Sequence, residues 1–251
     1  MAVCLSCNGK GVVISRNVSA IPCVCAKCRG NGKLKLTVKD FLPQDHACFV
    51  YDEPNVQLAT GVAFTIEGLK QGECCFYITD ERPVDEIKEA FSQNGINVKK
   101  RTQSRALNIL TKNESYLMNG YFDASEMLSF FKDAVRAATR AGFIAFRVTG
   151  ESTWALGNEP GCDQIASYEF LIDEYFENAK PDITALCQYN IRRFPASTIQ
   201  DILCCHRAVV LADGRVVTNN PYHTNRLGTR SQKALHLDRM LECLHKEAAN
   251  D

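Results

Sequence analysis

From residue 45 onward the chain alternates short, nearly uninterrupted apolar runs with longer amphipathic segments, and no other feature restricts its fold as much. The runs Ala47–Tyr51, Cys74–Thr79, Leu107–Leu110, Phe143–Val148, Ile183–Tyr189 and Ala208–Leu211 have the length and composition of buried strands. Between them, Pro54–Lys70, Pro83–Asn94, Ser125–Ala141, Asp163–Asn178 and Ala196–Leu203 read as helices, and Gln232–Ala248 as a terminal helix. Proline opens the first of these, and Gly72, Gly95 and Gly142 stand where helices stop. Strands without polar alternation, separated by helices, predict an α/β fold with a mostly parallel sheet covered on both faces. The longest apolar runs are strand-sized, and no basic, apolar leader opens the chain. The expectation is a cytoplasmic protein without membrane association.

In such sheets ligands gather beyond the carboxyl ends of the strands. Those ends carry Tyr51-Asp52-Glu53, Asp80-Glu81-Arg82, Arg147 through Glu151 to Trp154, and Gln188-Tyr189-Asn190 with Arg192 and Arg193. No G-x-x-x-x-G-K-[ST] loop is present, and no G-x-G-x-x-G follows a strand in this body. After the first strand the chain reads Tyr51-Asp52-Glu53-Pro54-Asn55, whose carboxylates would repel a phosphate seeking free amides. ATP hydrolysis by the usual loop is therefore not expected. There is also no G-x-S-x-G elbow and no second cluster of histidines and carboxylates for a metal. The expectation is a non-enzyme with no catalytic residues.

The N-terminus is of a different kind. Five of thirteen cysteines fall in the first 28 residues. Cys4-Leu-Ser-Cys7-Asn-Gly9-Lys-Gly11 is answered, with 17 residues between Cys7 and Cys25, by Cys25-Ala-Lys-Cys28-Arg-Gly30-Asn-Gly32. Two C-x-x-C pairs at this separation match one closed tetrahedral zinc site, which leaves no open position for catalysis and so predicts a single structural zinc. Val12-Val13-Ile14 lies between the pairs and predicts an arm of a β-hairpin; Cys23 is a spare thiol able to replace Cys25 if the register shifts. The doubled pattern resembles the zinc-binding repeats of the DnaJ chaperone family, which usually has four such repeats where this chain has two. Residues 1–40 carry seven basic groups against one acid, whereas the other 211 residues carry 22 basic and 28 acidic groups. A basic tip on an acidic body suits nucleic acid or an acidic protein partner, or is simply a solvated module.

Further motifs carry a second resemblance. His46-Ala-Cys48-Phe-Val-Tyr51, Gly68-Leu-Lys-Gln-Gly72-Glu73, and Tyr116 through Gly120-Tyr-Phe122-Asp123 come first. Arg147-Val-Thr-Gly150-Glu151-Ser-Thr-Trp154-Ala-Leu156, Tyr168-Glu169, Cys187-Gln188-Tyr189, Arg193-Phe194, His206 and Asn220-Pro221-Tyr222 follow in order. Together they resemble the sensory domain of DcmR-type regulators, the MEDS family, over residues 44–224. The resemblance implies a RecA/KaiC-type core that has lost its phosphate loop and senses small organic compounds, including hydrocarbon derivatives. It divides the chain into a zinc hairpin at 1–40, a sensory domain at 44–224 and a helical tail at 225–251. Here a zinc hairpin, not an evident helix-turn-helix, precedes the domain.

Candidate ligand-binding residues are Arg147, Glu151 and Trp154 first. Arg147 and Glu151 pair with each other or hold a ligand, and Trp154, the only tryptophan, supplies an apolar wall. His46 and Tyr51 bracket the first strand at a spacing of five and need not share a face. His46 suits proton transfer or metal binding, or is a satisfied strand histidine. Tyr168, Glu169, Tyr189 and Arg193 complete the set. Cys204-Cys205-His206 reads as the end of an apolar helix, since adjacent cysteines do not readily share a metal; Cys187 reads as core. The preferred function is a non-enzymatic sensor of a small organic ligand, monomeric or homodimeric, that signals through its zinc module or tail. The alternatives are a nucleic-acid-binding transcriptional regulator using the basic hairpin and, third, an enzyme with a strand-end pocket.

Overall fold

A computed structural model describes residues 45–178 and 182–219 continuously, together with Phe41 and five short strands nearer the N-terminus. Those strands are β1 (Ala2–Val3), β2 (Val12–Ile14), β3 (Pro22–Val24), β4 (Lys33–Leu34) and β5 (Leu36–Thr37). Strand β2 pairs antiparallel with β3, and β1 with β4. The zinc-binding cysteines expected at Cys4, Cys7, Cys25 and Cys28, Asn220-Pro221-Tyr222 and the expected helix Gln232–Ala248 lie outside the described residues.

The body runs β6 (His46–Tyr51), α1 (Pro54–Gln71), β7 (Cys74–Thr79), α2 (Val84–Gln93), α3 (Val98–Gln103), β8 (Leu107–Thr111), α4 (Ala124–Arg140) and β9 (Ala145–Glu151). It continues with α5 (Ile165–Asn178), β10 (Asp182–Asn190), α6 (Ala196–Cys204), β11 (Ala208–Val210) and β12 (Arg215–Thr218). An eight-stranded sheet has the order β5-β12-β11-β6-β10-β9-β7-β8. All neighbours from β11 to β8 are parallel, and β12 pairs antiparallel with β11 and β5. The expected α/β class therefore holds.

Local chemistry accounts for the element ends. Helix α1 begins at Pro54, whose missing amide is no loss in a first turn, and ends at Gly72 in the left-handed region with φ 80°. Asp123 caps α4 by accepting from the amides of Ser125 and Glu126 at 2.9 and 2.8 Å. Strand β9 starts at Ala145, two residues later than expected, and runs on to Glu151, so Arg147 sits inside the strand and does not end it. Within the body, after β6, one helix and one strand escaped the periodicity argument. Helix α3 is short, and β12 is announced only by the Asp213-Gly214 turn (Gly214 φ 78°).

Strand alternation divides the core in two. Cys48, Val50, Cys74, Ile78, Phe146, Val148, Ile183, Ala185 and Tyr189 pack with α4, α5 and α6. Their sequence neighbours Ala47, Phe49, Cys75, Tyr77 and Leu186 pack towards α1 and α2. On the α1 face Arg147 is buried and meets Glu73 through two contacts, Nε to Oε2 at 2.5 Å and Nη2 to Oε1 at 3.1 Å. Its guanidinium also lies 4.7 Å from the Phe64 ring centroid. The arrangement requires Gly68, where a Cβ would stand 2.6 Å from Arg147 Cδ.

Removing one member of a buried ion pair strands the other charge and costs about 3–5 kcal/mol, whereas replacing both by apolar residues is often neutral. Arg147→Met is accordingly expected to lower unfolding stability by about that amount. Adding Glu73→Leu restores most of the loss. Urea midpoints of the two variants check both statements.

Candidate functional site

The strand period explains where each expected site residue falls. Arg147 and Glu151 project to the α1 face along with Tyr51, whereas His46 and Tyr189 project to the face covered by α4–α6. The two sets are separated by the sheet and do not form one pocket. Arg147 pairs with Glu73, not with Glu151, and belongs to the core.

Glu151 instead anchors a polar network at the strand ends. Its Oε2 accepts from the backbone amides of Asp80 and Glu81 at 2.9 and 3.0 Å, and its Oε1 accepts from Gln57 Nε2 at 3.0 Å. Gln57 also donates to Gln188 Oε1, and Gln188 Nε2 donates to Thr149 Oγ1 at 2.7 Å. Burial raises the Glu151 pKa above its ordinary value, against the hydrogen bonds from Asp80 and Gln57. The strand-end charges answer one another: Arg192 pairs with Asp52 (2.8 Å) and Glu53 (3.5 Å), Arg193 with Glu81, and Lys112 with Asp80 (2.8 Å). Tyr51 is buried beside Phe49. A ligand role for Arg193, Tyr51 and Glu151 thus competes with partners already in place.

On the other face a narrow cavity of about 30 Å³ lies between the sheet and helices α4 and α5. Its lining is mostly apolar and includes Tyr116, Phe131, Phe146, Tyr168, Ile172 and Cys187. Trp154 is not on its wall. It stacks behind Tyr116 at 4.7 Å between ring centroids, with Phe122 at 4.5 Å, and its buried Nε1 has no hydrogen-bond partner. Tyr116 in turn requires Gly150, where a Cβ would lie 2.1 Å from its hydroxyl. Tyr116, absent from the expected set, is the residue on which this wall is built.

Beside the cavity, four residues from four elements converge: His46 from β6, Glu169 from α5, Cys187 from β10 and His206 after α6. Glu169 Oε2 lies 3.1 Å from His46 Nε2, 3.4 Å from Cys187 Sγ and 3.5 Å from His206 Nε2. His46 Nε2 and Cys187 Sγ are 3.5 Å apart. Tyr189 donates its hydroxyl hydrogen to Glu169 Oε1. His46 Nδ1 lies 3.4 Å from Asp173 Oδ1, and His206 Nδ1 lies 2.7 Å from the Ile202 carbonyl oxygen. Burial works against a charged His46, yet Asp173 and Glu169 outweigh it and raise its pKa. Burial and the nearby His46 lower that of His206.

The expectation of no second cluster of histidines and carboxylates is therefore corrected. Positions 46, 169, 187 and 206 show no local spacing, and the tertiary fold alone assembles them. Among the described residues, His46, Tyr168, Glu169 and Tyr189 are the expected site residues brought to one place. Cys187 and His206, read as core and helix end, belong with them.

A mostly parallel sheet of this order with helices on both faces defines an α/β domain with KaiC-like structural neighbours. A KaiC-like protein from Pyrococcus horikoshii OT3 superposes with a TM-score of 0.50 at 13% identity, over 68% of this chain and 72% of that one, a likeness of fold. The family follows from the sequence match: residues 45–207 fit the model described as MEthanogen/methylotroph, DcmR Sensory domain, and the chain belongs to this MEDS family. It is also 27% identical over 176 residues to the transcriptional repressor DcmR of Methylorubrum extorquens, 69% of this chain. The match spans 62% of that relative's length.

A carboxyl group whose pKa is raised in the folded state takes up its proton there more readily than in the unfolded chain. The Glu151 contribution to stability therefore grows as pH falls through its folded pKa towards 4.5. Relative to wild type, Glu151→Gln is expected to lose that increment, so the difference between their urea midpoints changes between pH 7 and 4.5.

Proposed function

We propose that this chain is a non-enzymatic sensor, in which the cavity between the sheet and helices α4 and α5 binds a small organic molecule and the N-terminal segment carries the response. The observation that carries the reading is the aromatic cavity itself, enclosed against Tyr116, Phe131 and Tyr168. Its volume of about 30 Å³ is two to three times what one water needs, about 10–15 Å³. That size suits a compound of a few heavy atoms, and the apolar lining suits a hydrocarbon derivative. Membership in a sensory-domain family and similarity to a transcriptional repressor support a regulatory role. The acidic, ion-paired turn at Asp52–Pro54 and the sequence without a phosphate loop speak against nucleotide hydrolysis.

In this reading the chain has the three parts drawn above, at 1–40, 44–224 and 225–251. Cys4, Cys7, Cys25 and Cys28 hold one structural zinc, and the surrounding basic residues meet a protein partner. Antiparallel pairing of β2 with β3 supports the hairpin between the two cysteine pairs. The seven basic groups in residues 1–40 favour nucleic acid as the second reading. Binding to a mixed-sequence duplex would then weaken steeply with salt.

The first test screens short-chain alkanes, alkenes, alcohols and ketones by thermal unfolding. A compound at a hundredfold excess over its Kd should add about 2.7 kcal/mol of stability. Ala134→Leu, which fills the cavity from α4, should abolish the gain. No shift across the panel, or a shift that survives Ala134→Leu, would sink the reading.

A further inference from the structure

We propose that His46, Glu169, Cys187 and His206 form a buried four-coordinate site for a divalent transition-metal ion of the zinc type. The site does not depend on the small-molecule reading or on the N-terminal cysteines.

The distances carry the first part of the case. A tetrahedral zinc ion with bonds of about 2.0–2.3 Å to nitrogen, oxygen and sulfur sets its ligand atoms about 3.3–3.7 Å apart. The separations given above are 3.1 Å, 3.4 Å, 3.5 Å and 3.5 Å, and all four ligand atoms lie within 4.8 Å of one another. Two imidazoles, a thiol and a carboxylate from four separate parts of the chain thus gather around one point, with four of their six separations at coordination spacing. This donor set suits zinc, cobalt or ferrous iron and is unsuited to magnesium or calcium, which take oxygen shells.

Outer partners supply the second part. Histidines that ligate a metal through one ring nitrogen commonly donate the other N–H to a carboxylate or backbone carbonyl. Here His206 Nδ1 faces the Ile202 carbonyl and His46 Nδ1 faces Asp173, which leaves both Nε2 atoms turned to the centre. Tyr189 fixes the far oxygen of Glu169.

An unpartnered atom completes the case. His206 is fully buried and its Nε2 makes no hydrogen bond, although it stands 3.5 Å from a carboxylate oxygen. With the ring proton on Nδ1, Nε2 presents a lone pair to the negative oxygen Oε2 of Glu169. Two acceptors facing each other in a buried space are costly. A cation bound between them makes both favourable, and the Cys187 thiol loses its proton on joining.

Metal content of the full chain purified without chelator tests the site. Wild type should hold about one equivalent of zinc more than either Cys187→Ser or His206→Ala. Unchanged content in both folded variants overturns the proposal. Cobalt titration of the full chain carrying Cys4→Ser, Cys7→Ser, Cys25→Ser and Cys28→Ser separates this site from the hairpin. The expected spectrum has tetrahedral d–d bands and a single-thiolate charge-transfer band, and the latter disappears on adding Cys187→Ser. A folded quadruple variant that takes up no cobalt overturns it equally. If the variants do not fold, wild-type titration decides: a component with one thiolate per cobalt supports the site, and only four-thiolate cobalt refutes it.

Discussion

Strands β6, β9 and β10 are buried on both faces, so a polar side chain on any of them has to find its partner inside the protein. A parallel sheet wrapped by helices excludes water from its centre, and an unanswered buried charge costs several kcal/mol. Yet the strands carry His46, Arg147, Thr149, Glu151, Cys187, Gln188 and Tyr189. Thr149 is answered from the neighbouring strand, by the Leu186 carbonyl and Gln188, and each of the others by a group from a crossover connection: Glu73 just after α1, Gln57 in α1, the Asp80 and Glu81 amides after β7, or Glu169 and Asp173 in α5. The crossovers thus supply the chemistry of the interior as well as its cover.

The two faces use this constraint differently. Towards α1 the polar groups close on themselves. Arg147 is satisfied by Glu73 beneath Gly68, and Glu151 accepts from two amides that a strand-end ligand would otherwise use. Towards α4–α6 the polar groups leave something over. His206 has a nitrogen without a hydrogen bond, Trp154 has an indole N–H in the same position, and an apolar cavity adjoins Cys187. Satisfied polar groups hold a fold rigid, whereas leftover ones mark where a further species belongs. That contrast sets the face covered by α4–α6 apart from the α1 face, whose polar groups are paired.

Much of the architecture was legible because its signals are local. The run Cys74–Thr79 has the same bounds in the sequence reading and in the fold, and Gly72 and Gly142 stop their helices through a left-handed backbone. The spacing of five left open whether His46 and Tyr51 share a face, and the strand places them on opposite ones. What misled was reading strand ends as one pocket. Arg147, Glu151, Tyr189 and Arg193 seem neighbours when all are assigned to carboxyl ends, but odd and even strand positions are split by the sheet. Tyr116 takes the wall position expected of Trp154, because stacking order is invisible to composition.

The sequence by itself determined the class of fold, the family and which residues are chemically capable, since apolar periodicity, caps and motif order are written along the chain. Only the tertiary structure decided partnership. Which carboxylate meets Arg147, and that His46, Glu169, Cys187 and His206 share a centre, depends on strand order and on the crossovers passing over opposite faces. Those are choices between residues far apart in the chain, and no stretch of local sequence encodes them.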